Sequence, residues 1–465
     1  MINIILAIDS KNGMGKNNIL PWKLQDELNI FKEKTLNGIV IAGRKTVEEL
    51  PYLKDRLIFC ISRKFQTLKS DKNLVCIFKS IEDALHEAKN HNKNIFIIGG
   101  NQIYDYAFKN FKNDLKIHIS FIKESYDCDT YFNIKNIEDF YITHTQKYDS
   151  FDHYEMVYKK HGEIQYLKLI ENILNNGEKR IGRNGNTFSD FGKHLKFDLR
   201  DGFPLLTTKK MFIKGIIEEL LFFLRGDTNT KILEEKGINI WKGNTNREFL
   251  DNNGFKERTE GFMGPMYGHV WRYYGSEYNE KTGKCIIDEN KYIFLESIFG
   301  TYKSKGLDQL QNVINEIRNN PTSRRILLTT YNPSIVDQGV LYPCHSIIIQ
   351  FYVQDGFLDM FCYNRSSDTF LGLPFNIAST SLFLMLIAKI TNLTPRYFNL
   401  SLGDVHIYSS HIKQVEEQIT RLSYNFPTII LPNIKELSDI DILSSSDFIL
   451  ENYLCHTPIK AEMIA

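Results

Sequence analysis

A cysteine at the entrance of a buried strand is the residue of this sequence best suited to nucleophilic chemistry. Cys344 follows Pro343, whose ring fixes its own φ, and the apolar run 347–353 that comes next predicts a buried strand. Arg365 comes just after a second strand-like stretch, 357–361, so we expect it beside Cys344, where it would favour the nucleophilic thiolate. A buried, inert thiol is the alternative that the Cys-His pair alone leaves open.

Two glycine-containing turns in the first part of the chain could hold a phosphate. Gly43-Arg44-Lys45-Thr46 follows one strand-like run, and Gly99-Gly100 lies where another gives way to a helix. Glycines at such places let backbone N–H groups approach a phosphate at a helix N-terminus, and Arg44 and Lys45 add positive charge. A simple tight turn is the alternative for each, but two such turns in one sheet favour a phosphorylated cofactor.

Strand and helix patterns alternate through residues 2–122, as they must if one sheet is to position both turns. The strand-like runs are 2–8, 39–42, 57–61, 75–78, 95–98 and 115–122, and helical patterns cover 26–36, 82–89 and 102–109. This alternation predicts an α/β fold with a doubly wound, mostly parallel sheet that binds ligands at the carboxyl ends of its strands.

Composition limits the function classes. A length of 465 residues suggests two or three domains, and a chain with 42% hydrophobic and 24% charged residues is ordinary for a soluble globular protein. The net charge of +1 gives no bulk electrostatic case for binding nucleic acid.

The cysteines and the apolar segments indicate a reducing compartment and no membrane span. The 7 cysteines are scattered without a CxxC pair, so we expect no zinc site and no disulfide framework, and we predict a cytoplasmic location. The first residues lack the basic region and cleavage site of a signal peptide. The apolar run 377–393 contains Lys389 and hydroxyl side chains, which predicts a buried core helix.

Four motifs, in order, resemble thymidylate synthase. They are Pro343-Cys344-His345-Ser346, Asn364-Arg365-Ser366-Ser367-Asp368, the run 372–379 (GLPFNIAS) and the run 403–408 (GDVHIY). The resemblance implies an α+β domain over 164–465, in which 277–306 is an insertion, after a very short junction at 161–163.

The resemblance also implies the residue roles in this second domain. The Cys344 thiolate would add to C6 of deoxyuridylate (dUMP), making C5 nucleophilic toward methylenetetrahydrofolate, with Tyr267 near the nucleophile and Glu219 as a proton relay. A structurally paired buried carboxylate is the alternative for Glu219. The implied dUMP-binding residues are Arg183, Arg365, Ser366, Asp368, Asn376, His406 and Tyr408, with Arg324 and Arg325 contributed across a dimer interface. The implied folate-binding residues are Trp241, Asn244 and Asp368.

The first domain, residues 1–160, resembles dihydrofolate reductase, which uses NADPH. The motifs are the run 13–22 (GMGKNNILPW), the two glycine turns and Asp129-Thr130-Tyr131-Phe132. By this resemblance Glu27 is the active-site carboxylate, in an apolar slot that raises its pKa, while Asp26 faces solvent. An exposed first-turn acid is the alternative for Glu27. Phe31, Arg56 and Ser120 would complete the folate site. The implied NADPH residues are Ala7, Gly13, Gly15, Arg44, Lys45, Thr46, Ser62, Arg63, Gly99 and Gly100.

A fused chain of this order resembles the bifunctional reductase–synthases. We therefore expect dUMP and dihydrofolate as substrates, NADPH and methylenetetrahydrofolate but no metal, and a homodimer formed through the synthase domain without membrane or nucleic acid. Two rival readings remain. One is a synthase whose reductase half has become a scaffold, suggested by the small Ala42 and Val47. The other is a non-catalytic nucleotide- or RNA-binding protein.

Overall fold

The chain forms two compact units. The computed structural model describes residues 2–63, 75–160, 162–182, 185–283, 285–286 and 306–464. Unit 1 comprises Met1–Lys160 and Leu422–Asn425, and unit 2 comprises His161–Arg421 and Phe426–Ala465. Each unit has its own hydrophobic core.

Unit 1 is built from alternating strands and helices. Its strands are β1 (Ile2–Ile8), β2 (Gly13–Gly15), β3 (Ile39–Gly43), β4 (Leu57–Ile61), β5 (Val75–Phe78), β6 (Ile95–Gly99), β7 (Leu115–Ile122), β8 (Thr130–Tyr131), β9 (Phe140–Lys147) and β10 (Phe151–Tyr158). Its helices are α1 (Gln25–Thr35), α2 (Arg44–Glu49), α3 (Ile81–Lys89) and α4 (Asn101–Phe111). All six predicted strands and all three predicted helices are present, with ends that differ by at most two residues.

The main sheet of unit 1 has the order β5-β4-β3-β6-β1-β7-β10-β9. Its pairs are parallel from β5 to β7, and β10 pairs antiparallel with both β7 and β9. The predicted α/β class with a mostly parallel sheet is therefore confirmed. Because β3 and β6 are parallel neighbours, with Ala42 opposite Gly99, both glycine turns lie at the same edge of the sheet.

Unit 2 is a mixed α and β structure. Its helices are α5 (Ile164–Asn176), α6 (Ile213–Leu224), α7 (Lys231–Glu235), α8 (Lys242–Thr245), α9 (Arg247–Asn252), α10 (Gly268–Arg272), α11 (Gln309–Asn319), α12 (Gly372–Ile390) and α13 (Ile412–Ile419). Its strands are β11 (Glu178–Gly182), β12 (Gly185–Asp198), β13 (Glu277–Tyr278), β14 (Cys285–Ile286), β15 (Leu327–Thr329), β16 (Ile348–Gln354), β17 (Phe357–Asp368), β18 (Thr394–Tyr408), β19 (Thr428–Ile430) and β20 (Ile449–Glu451).

The main sheet of unit 2 has the order β11-β12-β18-β17-β16-β15, and its one parallel pair is β17 with β18. Most of α12 is buried in the unit-2 core, because apolar and small side chains surround the whole helix. Within the described residues, α12 is also the one helix long and apolar enough to cross a membrane, a test that the buried core helix of a soluble protein passes as well. Of the predicted insertion 277–306, only part lies within the described residues, including β13.

A pair of buried histidines lies in the unit-1 sheet, on adjacent strands. His118 on β7 and His153 on β10 stack with ring centroids 6.3 Å apart. Burial lowers the pKa of each to about 4. On β10, burial alone would raise the pKa of Glu155, but hydrogen bonds from Lys116 and Lys34 lower it to about 2. Both histidines are therefore neutral at neutral pH and stay so well into the acid range.

This pair predicts that unit 1 loses stability as pH falls from about 6.5 toward 4. In that range the unfolded chain binds protons at both histidines and the folded chain does not, so protonation favours unfolding. Near pH 5 the loss is about 2 kcal/mol per histidine by linkage. Hydrogen exchange of the β7 and β10 amides, corrected for intrinsic rates, measures it.

The matched control for this prediction is His86, an exposed histidine on α3. His118→Phe should flatten the dependence of β7 protection on pH between 6.5 and 4, and His86→Phe should leave it unchanged. Equal flattening by both substitutions, or none by either, would contradict the prediction.

Candidate active sites

The cysteine of unit 2 is held in place by the backbone of the next strand. The N–H groups of Arg365 and Ser366 on β17 both donate to the carbonyl oxygen of Cys344, at 2.8 and 3.2 Å. The Arg365 side chain donates to the Pro343 carbonyl at 3.2 Å. The predicted neighbourhood of Cys344 and Arg365 is therefore observed, and Cys344 as a residue is partly exposed.

Tyr267 contacts the cysteine directly. Its hydroxyl lies 3.7 Å from Cys344 Sγ and accepts a hydrogen bond from the Cys344 N–H at 3.2 Å. The tyrosine has a φ of 30°, a strained conformation that is common at functional sites, and its ring stacks between Phe223 and His345. This packing fixes the hydroxyl beside the sulfur.

Arg365 favours the thiolate of Cys344, as expected, but burial acts in the opposite direction. Burial raises the pKa of the thiol, and although the Tyr267 hydroxyl and Arg365 both lower it, the net shift is upward. Desolvation disfavours the charged form of a thiol, and here it outweighs the nearby positive charge. A bound anion that brings further cations close to the sulfur would move this balance toward thiolate.

Glu219 on α6 borders a small cavity next to the cysteine segment. Its carboxylate accepts a hydrogen bond from Trp241 Nε1 at 2.8 Å. Burial raises its pKa to about 7, which the Trp241 bond partly offsets. The cavity has a volume of about 10 Å³, room for one water molecule. It is lined by Glu219, Leu220, Phe223, Trp271, His345, Ser346, Ser379, Thr380 and Phe383. A carboxyl group with this pKa can take up and release a proton near neutral pH.

The parallel pairing of β17 with β18 brings the predicted polar residues together. Its register places Ser366 opposite Asp404 and Asp368 opposite His406. The His406 ring packs edge-on against Tyr408, with centroids 5.2 Å apart. Asp368 accepts hydrogen bonds from the N–H groups of residues 370 and 371, which lead into α12 and Asn376.

The remaining predicted residues of unit 2 differ in their surroundings. Asn244 on α8 is buried and its Nδ2 has no partner among the described residues, so a polar ligand group could be bound there. Arg183 lies outside the described residues. Arg324 and Arg325 are exposed just before β15, and within the described chain neither guanidinium forms a hydrogen bond or ion pair.

Two polar side chains beside the predicted site residues were missed by the sequence reasoning. Asp404 lies 2.7 Å from His406 Nδ1, and this hydrogen bond lowers the pKa of Asp404. Its place two residues before His406 on one strand was the available signal. Lys209 is buried, and burial lowers its pKa to about 7, against the opposing effects of Asp368 and Glu163. A lysine three residues after the apolar run 203–206 was the signal for Lys209.

In unit 1, α1 carries the predicted carboxylate on its buried face. Glu27 is 7% exposed, and burial raises its pKa to about 7, as the sequence argument expected. Ile30, one turn later, is buried as well, and the neighbouring Asp26 is exposed. Among the described residues, Tyr104 on α4 lies close enough to interact electrostatically with Glu27, and its hydroxyl donates to the Ile5 carbonyl at 2.8 Å.

The other predicted folate-site residues lie around the same helix. Phe31 packs on the apolar cluster that contains Ala42 and Val47. Arg56 donates to the Thr35 hydroxyl and to the Lys54 and Lys32 carbonyls at 2.7–3.0 Å. Since a guanidinium has five N–H groups, two remain for a carboxylate. The Ser120 hydroxyl bonds His153 Nδ1 at 3.0 Å, and no bond to Glu27 is formed within the described residues.

The glycine turns leave room near a hydroxyl at the sheet edge. Gly100 directly precedes α4, and a Cβ built on Gly99 or Gly100 would contact the Thr46 side chain at 3.4–3.5 Å. Arg44 and Lys45 are exposed at the start of α2, where Arg44 pairs with Glu48 at 2.7 Å. Open backbone, a hydroxyl and two cations therefore meet at one place.

The remaining predicted cofactor residues are explained in part by packing. Gly13 and Gly15 form β2, and a Cβ on Gly13 would meet Cys128 Sγ at 2.5 Å, so packing alone requires that glycine. Ala7 pairs with Ser120 between β1 and β7. Ser62 is buried after β4, and the adjacent Arg63 is exposed.

No cluster of three or more His, Cys, Asp or Glu side chains suited to a metal occurs in the part of the chain that the structure describes. The unit-2 arrangement combines a cysteine, a neighbouring tyrosine and a carboxyl group with a pKa near 7, which suits covalent catalysis with proton transfer. The unit-1 arrangement places one buried carboxyl group in a fold whose sheet edge suits a phosphorylated cofactor.

Comparisons with known proteins match each unit to a separate family. A family model described as thymidylate synthase matches residues 164–465, and one described as dihydrofolate reductase matches residues 1–161. Curated relatives match over almost the whole chain. One from Paramecium tetraurelia is 37% identical over 99% of this chain and 98% of its own length. One from Zea mays is 36% identical over 99% of this chain and 96% of its own length. One from Plasmodium chabaudi is 35% identical over 97% of this chain and 87% of its own length. All three are named bifunctional dihydrofolate reductase-thymidylate synthase.

Proposed function

The chain belongs to the family of bifunctional dihydrofolate reductase–thymidylate synthases, and from this premise we propose which of its residues carry out the two reactions. It methylates dUMP to thymidylate and reduces dihydrofolate to tetrahydrofolate. The observation that supports the assignment of residues best is the placement of Tyr267 3.7 Å from the Cys344 sulfur, next to a carboxyl group with a raised pKa.

In unit 2, Cys344 is the nucleophile. Its thiolate forms a bond to C6 of dUMP, and the electron pair of the broken C5–C6 double bond makes C5 nucleophilic toward the methylene carbon of methylenetetrahydrofolate. C5 then loses its proton, the methylene group leaves the folate nitrogen, and hydride from the folate completes the methyl group as the Cys344–C6 bond breaks. The products are thymidylate and dihydrofolate. Arg365 has two roles: it binds the dUMP phosphate, and its positive charge lowers the pKa of the Cys344 thiol. Ser366 and Arg183 complete the phosphate site of this chain.

The rest of the unit-2 site binds and orients. Asn376 recognises the uracil edge, while His406 and Tyr408 hold the ribose, with Asp404 fixing the His406 ring. Glu219 transfers protons between the bound nucleotide and a water in the small cavity. The folate binds against Trp241, Asn244 and Asp368, where the Asn244 Nδ2 provides a free donor.

In unit 1, Glu27 holds the pterin and supports proton delivery to it, since its pKa near 7 lets it exist in both forms at neutral pH. Phe31 packs on the folate, Arg56 binds the glutamate tail with its two remaining N–H groups, and Ser120 supports the carboxylate. NADPH supplies the hydride when bound. The sheet edge fits its phosphates, and the residues that hold it are Ala7, Gly13, Gly15, Arg44, Lys45, Thr46, Ser62, Arg63, Gly99 and Gly100.

Unit 2 forms a homodimer through the outer face of its sheet. Leu327 and Phe361 both pair with Gln350, so they lie on the same face, and both are exposed. Ile348 and Tyr352 on β16 share this face by strand alternation and are exposed as well. A contiguous apolar patch of this kind marks an interaction surface. A second copy of unit 2 is its occupant, because the patch continues to side chains that bind dUMP.

The arginine pair lies at the edge of this face. The Arg324 carbonyl accepts a hydrogen bond from Gln350 Nε2 at 3.3 Å, and strand alternation places Arg365 on the same side of β17 as Phe361. A two-fold interface over this patch brings Arg324 and Arg325 of one subunit to the phosphate site of the other. Each dUMP site is then shared between two chains.

Mixed dimers test the shared site. Arg324→Ala/Arg325→Ala and Cys344→Ser should each be nearly inactive as synthases, the first because two charge-assisted contacts to the phosphate are lost. In a mixed dimer one site has Cys344 together with intact arginines from the other chain. Random reassociation should therefore restore about a quarter of wild-type synthase activity. Absence of rescue, with mixed dimers shown to form, would contradict this assignment, and unchanged reductase activity in both variants is the control.

The other features of the proposal follow from the same sites. Neither reaction uses a metal, and the net charge of +1 supports a protein that acts without nucleic acid. The six cysteines whose side chains the structure describes are all free thiols, which supports a cytoplasmic location. The assignment of the two sites is tested by substituting the nucleophile of unit 2 or the carboxylate of unit 1, one at a time, and measuring both activities on the same chain. Each substitution should abolish one reaction and spare the other.

A further inference from the structure

An acidic side chain is buried at the end of β1, two residues after Ala7. Asp9 directly follows the strand and is 1% exposed. Cys128 Sγ lies 3.9 Å from Asp9 Oδ2, and Cys128 belongs to an apolar cluster with Ala7 and Trp22. A carboxylate in such surroundings stays charged only if hydrogen bonds replace the water that it has lost. The partners of Asp9 therefore show what this carboxylate does.

Three backbone N–H groups, from two segments of the chain, donate to the Asp9 carboxylate. Oδ1 accepts from the N–H groups of Lys11 and Gly13, at 2.8 and 2.7 Å. Oδ2 accepts from the N–H group of Tyr126 at 2.8 Å. Burial alone would raise the pKa of Asp9, but these three hydrogen bonds lower it below its ordinary value. The carboxylate is therefore charged at neutral pH, and its bonds are charge-assisted.

The first of the two segments is the turn that leads from β1 into β2. The Asp9 N–H donates to the Gly13 carbonyl at 2.9 Å, and the Asn12 N–H donates to the Asp9 carbonyl at 2.9 Å. The turn therefore closes on the residue that carries the carboxylate. Because the side chain also accepts from Lys11 and Gly13, Asp9 fixes the backbone at which β2 begins.

The second segment runs from Tyr126 into β8, the strand that pairs with β2. Gly13 and Gly15 pair with the two residues of β8. A Cβ built on Gly13 would meet Cys128 Sγ at 2.5 Å, so the two segments are in close contact beside the carboxylate. The Tyr126 ring packs on Trp22, with centroids 5.5 Å apart. One carboxylate therefore holds both of the segments that form the β2–β8 pair.

We propose that Asp9 is a positioning residue of the reductase site, whose carboxylate links the turn before β2 to the segment at Tyr126 and so keeps Gly13 and Gly15 in the conformation that binds NADPH. This inference rests on the proposed cofactor site, to which both glycines belong. Without the link, only the fraction of molecules with both segments in place would bind the cofactor, and the apparent affinity falls with that fraction. Bound NADPH restores the arrangement, so turnover at saturation persists.

NADPH affinity and turnover at saturation separate this role from a purely structural one. Asp9→Asn keeps the shape of the side chain but replaces one acceptor oxygen with an amide nitrogen, which cannot accept from a backbone N–H. The Kd of the full chain for NADPH, measured by quenching of protein fluorescence, should rise about 10-fold, the scale of one lost hydrogen bond to a charged group. Reductase kcat at saturating NADPH should stay within about two-fold of wild type. A mere loss of stability would lower kcat through the folded fraction and leave Kd in place.

Two other carboxylates of unit 1 provide matched controls. Asp127 lies on the same segment as Tyr126 but is exposed, so Asp127→Asn should leave the Kd for NADPH within about two-fold of wild type. Glu155 on β10 is 9% exposed and accepts hydrogen bonds from two lysine side chains, so Glu155→Gln removes a buried charge elsewhere and should also leave this Kd in place. An unchanged Kd in Asp9→Asn, or an equal rise in either control, would overturn the proposal.

Hydrogen exchange of the wild-type chain tests the proposal even if Asp9→Asn does not fold. The Gly13 and Tyr126 amides donate to one carboxylate, so they should open together, with protection factors within about 10-fold of each other in the free chain. A larger difference would overturn the positioning role. Failure of the proposed cofactor site is recognised separately, because NADPH would then bind without slowing exchange at Gly13 and Gly15. Slowed exchange at both glycines with an unchanged Kd in Asp9→Asn would reject only the positioning role.

Discussion

Cys344→Ser is expected to lose thymidylate synthesis by at least about 10³-fold, because a hydroxyl at this position cannot supply the thiolate that adds to dUMP. The hydroxyl is too weak a nucleophile, and Tyr267 and Arg365 assist a sulfur anion rather than an alkoxide. Reductase activity on added dihydrofolate should be unchanged, since the substitution lies in unit 2. Steady-state assays of both reactions on the same preparation measure the effect.

The covalent step gives this prediction an independent readout. With fluorodeoxyuridylate and methylenetetrahydrofolate, the wild-type chain should form an adduct that peptide mass spectrometry places on Cys344. Cys362→Ala is the matched control. Cys362 lies on the neighbouring β17, but it is fully buried and burial raises its pKa to about 12, so it should be inert. An adduct on any other cysteine, or an adduct that survives Cys344→Ser, would contradict the assignment.

Glu27→Gln is expected to lower NADPH-dependent reduction of dihydrofolate by at least about 10²-fold while thymidylate synthesis persists. The amide keeps the shape of the side chain but can neither deliver a proton nor carry a charge. The structure strengthens this expectation, since a pKa near 7 puts the carboxyl group where both forms are populated at neutral pH.

The neighbouring acid provides the control for this second experiment. Asp26 is exposed on the same turn of α1, so Asp26→Asn should leave reductase activity within about two-fold of wild type, the small effect expected of a surface substitution. If Asp26→Asn were inactive and Glu27→Gln active, the active-site carboxylate would be Asp26 rather than Glu27. If both were active, the reductase site would have to use another proton source.

The sequence predicted those parts of the fold that local patterns determine. The runs 2–8 and 115–122 form β1 and β7 with the predicted boundaries, because the first is almost continuously apolar and the second places an apolar residue at nearly every other position. The short helix α2 was missed, since Gly43-Arg44 was interpreted as a turn. The hairpin of β9 and β10 was missed as well. Its strands alternate apolar and polar residues only weakly, and their place is set by pairing with β7.

The candidate sites were predictable in their residues but not in their energetics. The sequence put Cys344 near Arg365, yet only the structure shows that burial outweighs the arginine and raises the pKa of the thiol. The partner of Ser120 could not be predicted from the sequence. Ser120 and His153 are 33 residues apart in the chain, and their contact depends on the register between β7 and β10. Asp404 differs, because its bond to His406 joins two residues of the same strand, so the sequence already contained that signal.

The central claim, that one chain carries both reactions, is tested most directly by a single assay without added dihydrofolate. The purified chain is supplied with dUMP, methylenetetrahydrofolate and NADPH, and thymidylate and NADP⁺ are quantified over time by chromatography. The account predicts that NADPH oxidation requires dUMP and that one NADP⁺ appears for each thymidylate once a steady state is reached. Thymidylate formation with accumulating dihydrofolate and no NADPH oxidation, or NADPH oxidation without dUMP, would contradict it.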